Sequence, residues 1–417
     1  MRHLIIGAGP AGITAAETLR RAAPRDEITV LGDEPGVPYS RMAIPYLLAG
    51  RIDESGTRLR REDGHFRDQR IDLVQGRARS VDAQARQVRL ESGEALAFDR
   101  LLIASGASAR RPPIPGMDFP QVHACWTLED ARRIMEDTRP GLRVLQMGAG
   151  FIGCIIMEAL AERGVELTVV EMGDRMVPRM MTPGAGAMIR QWCEGKGIRV
   201  LLGTQVRSIA REGAALRATL GSSETLDCDA VICATGVAPN IGFLEGSGIA
   251  CDQGVLVNHR METSVPGIFA AGDVAQSPEF GSSRCVVNAI QPAAAEQARI
   301  AALNMAGRAV TGTGQIAMNV LDTLGLVAAS FGQWSGASPD EGGTSVELRD
   351  PARFRYLRLE FQDDRLIGAT SLGLTEHVGV IRGLIQGRVR LGPWRERLLE
   401  DPTRLAEAYI ACAQKAA

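Results

Sequence analysis

Two short glycine-rich stretches have the spacing that lets a polypeptide backbone approach a phosphate. Residues 7–12 are Gly-Ala-Gly-Pro-Ala-Gly, and residues 148–153 are Gly-Ala-Gly-Phe-Ile-Gly. In such a turn the first glycine permits the bend, the second admits a pyrophosphate, and the third lets the following helix pack closely on its strand. The helix N-terminus then offers unpaired N–H groups and the positive end of its dipole to the phosphates.

Each stretch lies within a pattern that predicts strand, helix and strand. The first is followed by an Ala- and Leu-rich helix ending near Arg21 and by an apolar strand at 28–31. The second lies between apolar strands at 144–147 and 167–170 and opens a helix of its own. This internal repeat of a βαβ unit predicts two nucleotide-binding domains, separated by about 140 residues along the chain.

Acidic residues follow both loops at the distance where a ribose would bind. Glu171 ends the second strand of the second repeat, and a carboxylate there accepts hydrogen bonds from both ribose hydroxyls while repelling a 2′-phosphate. This favours NAD(H) over NADP(H), although the nearby Arg175 and Arg179 weaken the preference by offering positive charge. In the first repeat either Asp33 or Glu34 could reach the ribose. The alternative role for Glu171 is that of a solvated charge at a strand end.

Composition excludes several classes of function. The 47 Lys and Arg nearly balance the 49 Asp and Glu, giving a net charge of −2, so we expect no nucleic-acid partner. The sequence contains no run of about 18 apolar residues, so we expect no membrane span. Glycine is in surplus, with 47 residues where average usage predicts roughly 29, which is typical of a chain with many close backbone approaches.

The eight cysteines are scattered and form no CxxC pair. Neither they nor the histidines show the spacing of zinc ligands or iron–sulfur ligands, so we predict no metal site. Scattered thiols suit a reducing compartment, and the chain begins directly in a strand with no room for a signal peptide. We therefore expect a cytoplasmic protein.

Between and after the two repeats the sequence is less regular. A hairpin is predicted from the strand-like residues 87–90 and 98–104, and the proline-rich residues 110–116 predict the end of a domain. After residue 315 an alternating pattern replaces the Rossmann pattern. The predicted elements there are strands at 356–361 and 366–372 and amphipathic helices near 375–388 and 393–414.

Five motifs occur in a fixed order along the chain, at residues 7–12, 98–106, 148–153, 234–236 and 272–273. In this order they resemble the FAD-dependent pyridine nucleotide–disulfide oxidoreductase superfamily over essentially the whole chain. Within it, the sequence is similar to NADH-dependent ferredoxin and rubredoxin reductases. Through residues 38–41 and 364–369 it is equally similar to the flavin module of NADH nitrite reductases.

The resemblance implies that the first loop holds FAD and the second holds NAD(H). It further implies that Asp273 bonds the ribityl chain, Arg41 approaches the pyrophosphate, Ala78 contacts adenine through its backbone, and the helix beginning near Gln291 points at the flavin. The implied FAD-binding residues are Gly7, Gly9, Pro10, Ala11, Gly12, Asp33, Glu34, Arg41, Ala78, Ala104, Ser105, Gly106, Gly272, Asp273 and Gln291. The implied NAD-binding residues are Gly148, Gly150, Phe151, Ile152, Gly153, Glu171 and Gly236.

The predicted fold class is therefore α/β, with two Rossmann-like dinucleotide-binding domains and a C-terminal α+β domain. We predict that the FAD-binding domain is formed by two parts of the chain, residues 1–115 and 244–315. The NAD(H)-binding domain then takes residues 116–243, and an α+β interface domain takes residues 316–417.

One departure from the superfamily bears directly on the chemistry. Disulfide reductases of this superfamily carry a redox cysteine pair on the helix after the second strand, and other branches keep one cysteine there. Here residues 40–46 are Ser-Arg-Met-Ala-Ile-Pro-Tyr, and no thiol precedes Cys125. Dithiol chemistry is thus excluded, no side chain is predicted to be catalytic, and electrons must leave directly from the flavin.

The resulting hypothesis is an FAD-dependent oxidoreductase that exchanges a hydride with NAD(H) and single electrons with an iron–sulfur protein. It is either a free-standing ferredoxin or rubredoxin reductase or the FAD subunit that reduces NAD⁺ in a larger iron–sulfur complex, such as an aldehyde or 2-oxoacid oxidoreductase. FAD suits this role because it couples two-electron with one-electron chemistry. The alternatives are an NADH oxidase that uses O₂ and a redox-sensing scaffold that binds FAD and NADH.

Overall fold

The computed structural model describes residues 1–413, which fold into two compact units. The first unit contains residues 1–47, 52–108 and 237–315. The second contains residues 48–51 and 109–236 and the chain from Ile316 onward. The finer division into four segments stays a prediction.

The helices and strands are short and alternate along most of the chain. In chain order the helices are α1 (Pro10–Ala22), α2 (Ile44–Leu48), α3 (His65–Asp68), α4 (Leu128–Asp137), α5 (Phe151–Glu162), α6 (Pro183–Gly195), α7 (Gln291–Met305), α8 (Val378–Gln386), α9 (Trp394–Glu400) and α10 (Leu405–Ala413). The strands are β1 (Arg2–Ile6), β2 (Glu27–Gly32), β3 (Asp72–Gln75), β4 (Ala78–Asp82), β5 (Gln87–Leu90), β6 (Ala95–Ala97), β7 (Arg100–Ile103), β8 (Ala107–Ala109), β9 (Val122–Ala124), β10 (Arg143–Met147), β11 (Glu166–Glu171), β12 (Arg199–Leu202), β13 (Val206–Glu212), β14 (Ala215–Leu220), β15 (Thr225–Cys228), β16 (Ala230–Cys233), β17 (Val237–Pro239), β18 (Val255–Leu256), β19 (Ile268–Ala270), β20 (Ala275–Pro278), β21 (Cys285–Val287), β22 (Met318–Thr323), β23 (Leu326–Gly332), β24 (Gly343–Asp350), β25 (Arg355–Gln362) and β26 (Arg365–Leu372).

A parallel sheet of order β19–β7–β1–β2–β3 forms the centre of the first unit. Strand β1 is buried from His3 to Ile6, as expected for a parallel strand that is covered on both faces. Helix α1 follows β1 and packs against α7. Because the strands are parallel, the turns after β1, β7 and β19 lie at the same carboxyl edge of the sheet. The unit also contains two three-stranded sheets, β4–β5–β6 and β18–β20–β21, and β17 pairs with β8.

The second unit repeats this plan and adds a different layer. Its parallel sheet has the order β12–β11–β10–β16–β9, with α5 as the crossover helix between β10 and β11. A small antiparallel sheet, β13–β14–β15, follows. The C-terminal part is an antiparallel sheet of order β22–β23–β26–β25–β24, and α8 packs on its strand β26. The predicted α/β class with a C-terminal α+β region is confirmed.

Helix α6 joins the parallel sheet of the second unit to its C-terminal sheet. The Trp192 ring packs edge-on against the Phe354 ring, with 4.9 Å between their centroids. At the other end of α6, the Thr182 hydroxyl lies 2.6 Å from the Tyr356 hydroxyl in a buried hydrogen bond. Together with the packing of α5 on β22, these contacts hold residues 109–236 and the C-terminal sheet in one compact unit.

Two local predictions were wrong. Strand β5 pairs with β6 rather than with residues 98–104, and β7 instead joins the parallel sheet beside β1. The helix predicted over 393–414 is divided into α9 and α10, because Asp401 has an extended backbone and Pro402 lacks the N–H that a continuous helix needs. Residue 414 lies outside the described residues.

Among residues 1–413, no helix combines the length and the apolar character that crossing a membrane requires.

The two glycines of the second loop are expected to respond differently to alanine substitution. A Cβ at Gly153 would collide with the carbonyl oxygen of Gly148, whereas no atom of the described chain lies within 4 Å of a Cβ at Gly150. Gly153→Ala should therefore lower the free energy of unfolding by about 2 kcal/mol, as overpacking does elsewhere. Gly150→Ala should be nearly neutral. Thermal and urea denaturation of both variants measure this difference, and equal stabilities would contradict it.

Candidate functional site

The first glycine loop joins β1 to α1 and leaves an open cradle at its centre. Gly7 has φ +113°, and a Cβ there would collide with the carbonyl oxygen of Ala104. A Cβ at Gly12 would collide with the carbonyl oxygen of Gly7, so α1 must pack directly on the turn. At Gly9 no atom of residues 1–413 lies within 4 Å of a Cβ.

The N-terminus of α1 is open toward this cradle. Gly9 is the N-cap residue, and no side chain of the described chain caps the helix there. Pro10 lies in the first turn, where its missing N–H has no cost. The N–H groups of Ala11 and Gly12 therefore face the space beside Gly9, which fits the pyrophosphate of a dinucleotide.

The second glycine loop has the same geometry between β10 and α5. Gly148 has φ +103°, and a Cβ there would collide with the carbonyl oxygen of Ala234. The space beside Gly150 is open, and Gly150 is an N-cap residue without a capping side chain from the described residues. The half-buried Phe151 and Ile152 form the first turn of α5. A second dinucleotide pyrophosphate fits here.

Glu171 lies beside the second loop and accepts hydrogen bonds from backbone N–H groups there. Its two carboxylate oxygens accept hydrogen bonds from the Ala149 and Gly173 N–H groups, each at 2.7 Å. Each oxygen keeps a second lone pair, so both can still accept a ribose hydroxyl. The Arg175 guanidinium donates to the carbonyl oxygens of Met181, at 3.0 Å, and Pro178, at 3.3 Å, and is thus held by the chain itself.

Asp273 provides a half-buried carboxylate that accepts no hydrogen bond from residues 1–413. Burial raises the pKa of this carboxyl group, and the positive charge of Arg41 only partly offsets the rise. The preceding Gly272 has φ +81° and donates its N–H to the Gln297 side chain at 2.8 Å. A half-buried carboxylate whose lone pairs are not used by the described residues can accept hydrogen bonds from the hydroxyl groups of a ligand, such as a ribityl chain.

Arg41 and Glu34 form a bonded pair beside this carboxylate. Arg41 donates to Glu34 Oε1 at 2.7 Å and to the carbonyl oxygen of Ala107 at 2.9 Å. Tyr39 donates its hydroxyl to the other Glu34 oxygen at 2.5 Å. Asp33 is more exposed and lies 3.8 Å from Arg77. Both acidic residues remain candidates for the ribose, and Glu34 additionally fixes Arg41.

The motif after β7 is held by Asn240. The Asn240 amide donates to the Ser105 carbonyl at 2.9 Å, and the Asn240 backbone N–H donates to the Gly106 carbonyl at 2.9 Å. Ala104 is fixed from the other side, since its N–H donates to the carbonyl of Ile6 at 2.7 Å. These bonds keep residues 104–106 beside the first glycine loop.

The remaining predicted residues lie at the starts of elements or at turns. Gln291 begins α7, and its side chain accepts a hydrogen bond from the Ser40 hydroxyl at 3.0 Å. Ala78 begins β4 and packs against the core of the first unit. Gly236 has φ +104° and accepts a backbone hydrogen bond from Arg110 at 2.9 Å. The roles assigned to them stay predictions.

The cysteines do not form a redox pair. None of the eight is in a disulfide, and Cys125, the first in the chain, is buried in apolar surroundings that raise its pKa to about 12. Within the described part of the chain, no group of three or more His, Cys, Asp or Glu side chains is placed to hold a metal ion.

The sequence motifs did not identify the polar side chains that form hydrogen bonds with the backbone of the loops. Gln146, Gln297 and Asn240 each bond the backbone of a loop that the motifs identified. Gln146 lies in an otherwise apolar strand, and that break in the pattern was a usable signal. The other two follow no motif, since their role depends on which backbone groups lie opposite them.

Replacing Asp273 by Asn is expected to have opposite effects on the protein without and with FAD. A raised folded-state pKa means that the ionised carboxylate destabilises the FAD-free protein at neutral pH and that acidification relieves this cost. D273N should therefore melt about 2 °C higher than wild type without FAD. Its Kd for FAD should rise about tenfold, because an amide is a weaker acceptor for hydroxyl groups than a carboxylate.

Calorimetry of the FAD-free proteins at pH 5 and pH 8, with FAD titration, measures both effects. The difference in melting temperature should be larger at pH 8. A variant that is less stable without FAD and binds FAD normally would show that Asp273 is structural.

Comparison with known proteins gives matches that span the chain. The pyridine nucleotide-disulphide oxidoreductase family model matches residues 1–296. The NADH-dependent phenylglyoxylate dehydrogenase subunit epsilon of Aromatoleum evansii is 31% identical over 413 residues, covering 98% of this chain and 97% of that protein. The ferredoxin–NAD(+) reductase component of the Paraburkholderia xenovorans biphenyl dioxygenase system is 35% identical over 276 residues, covering 66% of this chain and 67% of that protein.

Solved structures agree with these sequence matches. The ferredoxin reductase of the CYP199A2 system from Rhodopseudomonas palustris has a TM-score of 0.86 and 27% identity, covering 93% of this chain and 95% of that one. The protein is an oxidoreductase, and its cofactors are FAD and NAD(H). Because the family model covers well over half of the sequence, the chain belongs to the pyridine nucleotide-disulphide oxidoreductase family.

Proposed function

We propose that this protein transfers electrons between NAD(H) and an external iron–sulfur protein through FAD. The observation that carries the proposal is the combination of two dinucleotide cradles with a thiol-free segment at residues 40–46. In the direction of NADH oxidation, NADH gives up a hydride, two oxidised partner centres each take one electron, and one proton is released. FAD supplies the coupling between the two-electron and one-electron steps.

The side chains of this protein bind and position the cofactors in this proposal. The open N-termini of α1 and α5 accept the two pyrophosphates. Asp273 accepts hydrogen bonds from the ribityl hydroxyls, and Arg41 places a positive charge near that carboxylate. Glu171 accepts hydrogen bonds from the ribose hydroxyls at the second loop. No side chain of this chain needs to form a covalent bond during turnover.

The nature of the partner is the second part of the proposal. The relatives named as reductases of ferredoxin support an iron–sulfur protein as the acceptor. The relative named as a dehydrogenase subunit matches this chain over nearly its full length, which supports a fixed subunit in a 2-oxoacid oxidoreductase complex. Electrons then flow from the iron–sulfur subunits to NAD⁺. A cytoplasmic location belongs to the same proposal, because scattered thiols suit a reducing compartment.

Anaerobic spectroscopy of the purified holoprotein tests the electron route. NADH should bleach the flavin absorbance, and an oxidised [2Fe–2S] ferredoxin should restore it in repeated turnovers. Reoxidation by air should be slow. Rapid O₂ turnover without ferredoxin turnover would indicate an NADH oxidase, and sluggish reduction by NADH would indicate a sensor.

An anaerobic pull-down of the tagged protein from its native host tests the fixed-subunit version. We expect co-purification of other subunits with iron and acid-labile sulfide in stoichiometric amounts. Repeated recovery of this chain alone would contradict a fixed complex while leaving the soluble-reductase version intact.

The role of Glu171 predicts a preference for NADH over NADPH. In Glu171→Gln one carboxylate oxygen becomes an N–H donor and the negative charge is lost. We expect KM for NADH to rise about tenfold and the NADH-to-NADPH selectivity to fall by about the same factor. Steady-state kinetics with both coenzymes measure this.

The matched control for Glu171→Gln is Asp174→Asn, which removes a nearby exposed carboxylate that pairs with Arg175. The control should keep the wild-type preference. A wild-type enzyme that prefers NADPH would contradict the assignment of Glu171.

A further inference from the structure

A fully buried glutamine lies directly beneath the second glycine loop. Gln146 is the fourth residue of β10, and its relative exposure is 0%. Its Nε2 donates to the carbonyl oxygen of Gly148 at 2.8 Å and to that of Gly153 at 3.0 Å. One amide group thus joins the first and third glycines of the loop.

The orientation of this amide follows from its neighbours. If the amide were rotated by half a turn, Oε1 would face two carbonyl oxygens, and the three acceptors would repel one another. In the observed orientation Oε1 is buried and has no hydrogen-bond partner within the described chain. A buried acceptor without a donor is costly, so glutamine is retained in β10 at the expense of an unpaired Oε1 in exchange for the two hydrogen bonds that its Nε2 donates to the loop.

The bonds of Gln146 complete a set that fixes the loop on the side away from the open cradle. The N–H of Ala149 is held by Glu171 at 2.7 Å, and the carbonyl oxygen of Ala149 accepts the Val177 N–H at 2.8 Å. Gln146 fixes the two ends of the turn, at Gly148 and Gly153. The face beside Gly150 is left open.

We propose that Gln146 is a positioning residue for the NAD(H) pyrophosphate: its amide fixes the distance between the Gly148 and Gly153 carbonyls and thereby the aim of the first turn of α5. It acts through the loop and does not touch the dinucleotide. This inference rests on the proposed function, which assigns the second loop to NAD(H).

The first unit contains a natural counterpart that serves as a matched control. Gln297 is also 0% exposed, and its Oε1 accepts the Gly272 N–H at 2.8 Å while its Nε2 donates to the Ser277 hydroxyl at 3.0 Å. It supports the loop that carries Asp273. A buried glutamine therefore lies behind a cofactor loop in each unit, and each should affect its own cofactor.

The test compares Gln146→Leu and Gln146→Met with Gln297→Leu in the FAD-loaded protein. Leucine and methionine are similar to glutamine in size, but they cannot donate the two hydrogen bonds that Gln146 forms. For both Gln146 variants we expect wild-type FAD content and a melting temperature close to that of wild type, because the unpaired Oε1 is removed while the Gly148 carbonyl loses its donor. The Kd for ADP-ribose and the KM for NADH should rise about tenfold, while kcat at saturating NADH should change less than twofold. Gln297→Leu should instead lose FAD more readily and keep the wild-type Kd for ADP-ribose.

Titration calorimetry with ADP-ribose separates the possible failures, because it needs no electron acceptor. If both Gln146 variants bind ADP-ribose as wild type does, the positioning role is overturned and the proposed function stands. If both lose FAD and melt well below wild type, Gln146 is a general structural residue and the inference is overturned. If wild type itself does not bind ADP-ribose, the proposed function fails and this inference fails with it.

Discussion

The structure depends on one steric constraint, the absence of a side chain between a helix and the turn that precedes it. In each repeat the third glycine faces the carbonyl oxygen of the first, as Gly12 faces Gly7 and Gly153 faces Gly148. Any Cβ there would force the helix away from its strand. The close contact aims α1 and α5 at the carboxyl edges of their sheets, and the open N-termini of these helices follow from it.

The two cradles differ in the hydrogen bonds that their carboxylates accept from the protein. Both oxygens of Glu171 accept backbone N–H groups, so the second loop is hydrogen-bonded before any ligand arrives. Asp273 accepts no hydrogen bond within residues 1–413, and partial burial raises its pKa, so the lone pairs of this carboxylate at the first site are left for a ligand that supplies hydroxyl groups. Such a difference suits a tightly held cofactor at the first loop and an exchanging coenzyme at the second.

The sequence predicted the two βαβ repeats to within a few residues, because glycine spacing and apolar runs are local signals. It misassigned residues 98–104 to a hairpin, since the partner of β7 is the distant strand β1 and strand pairing is not encoded locally. The predicted glycines of residues 7–12 and 148–153 lie in the turns between a strand and a helix in both repeats. The support given by Gln297 could not be predicted, because it depends on the Gly272 N–H that the fold places opposite it.

The route of the electrons follows from where thiolates are absent. A thiol relay needs an ionised sulfur near neutral pH, and burial raises the pKa of Cys125 to about 12, which favours its protonated form. Burial likewise raises the pKa of Cys193 and Cys228 to about 12. The segment at 40–46 contains no cysteine. Without a cysteine in this segment to store the electron pair, the cofactor passes electrons directly to another molecule, and an acceptor that takes them one at a time satisfies that requirement.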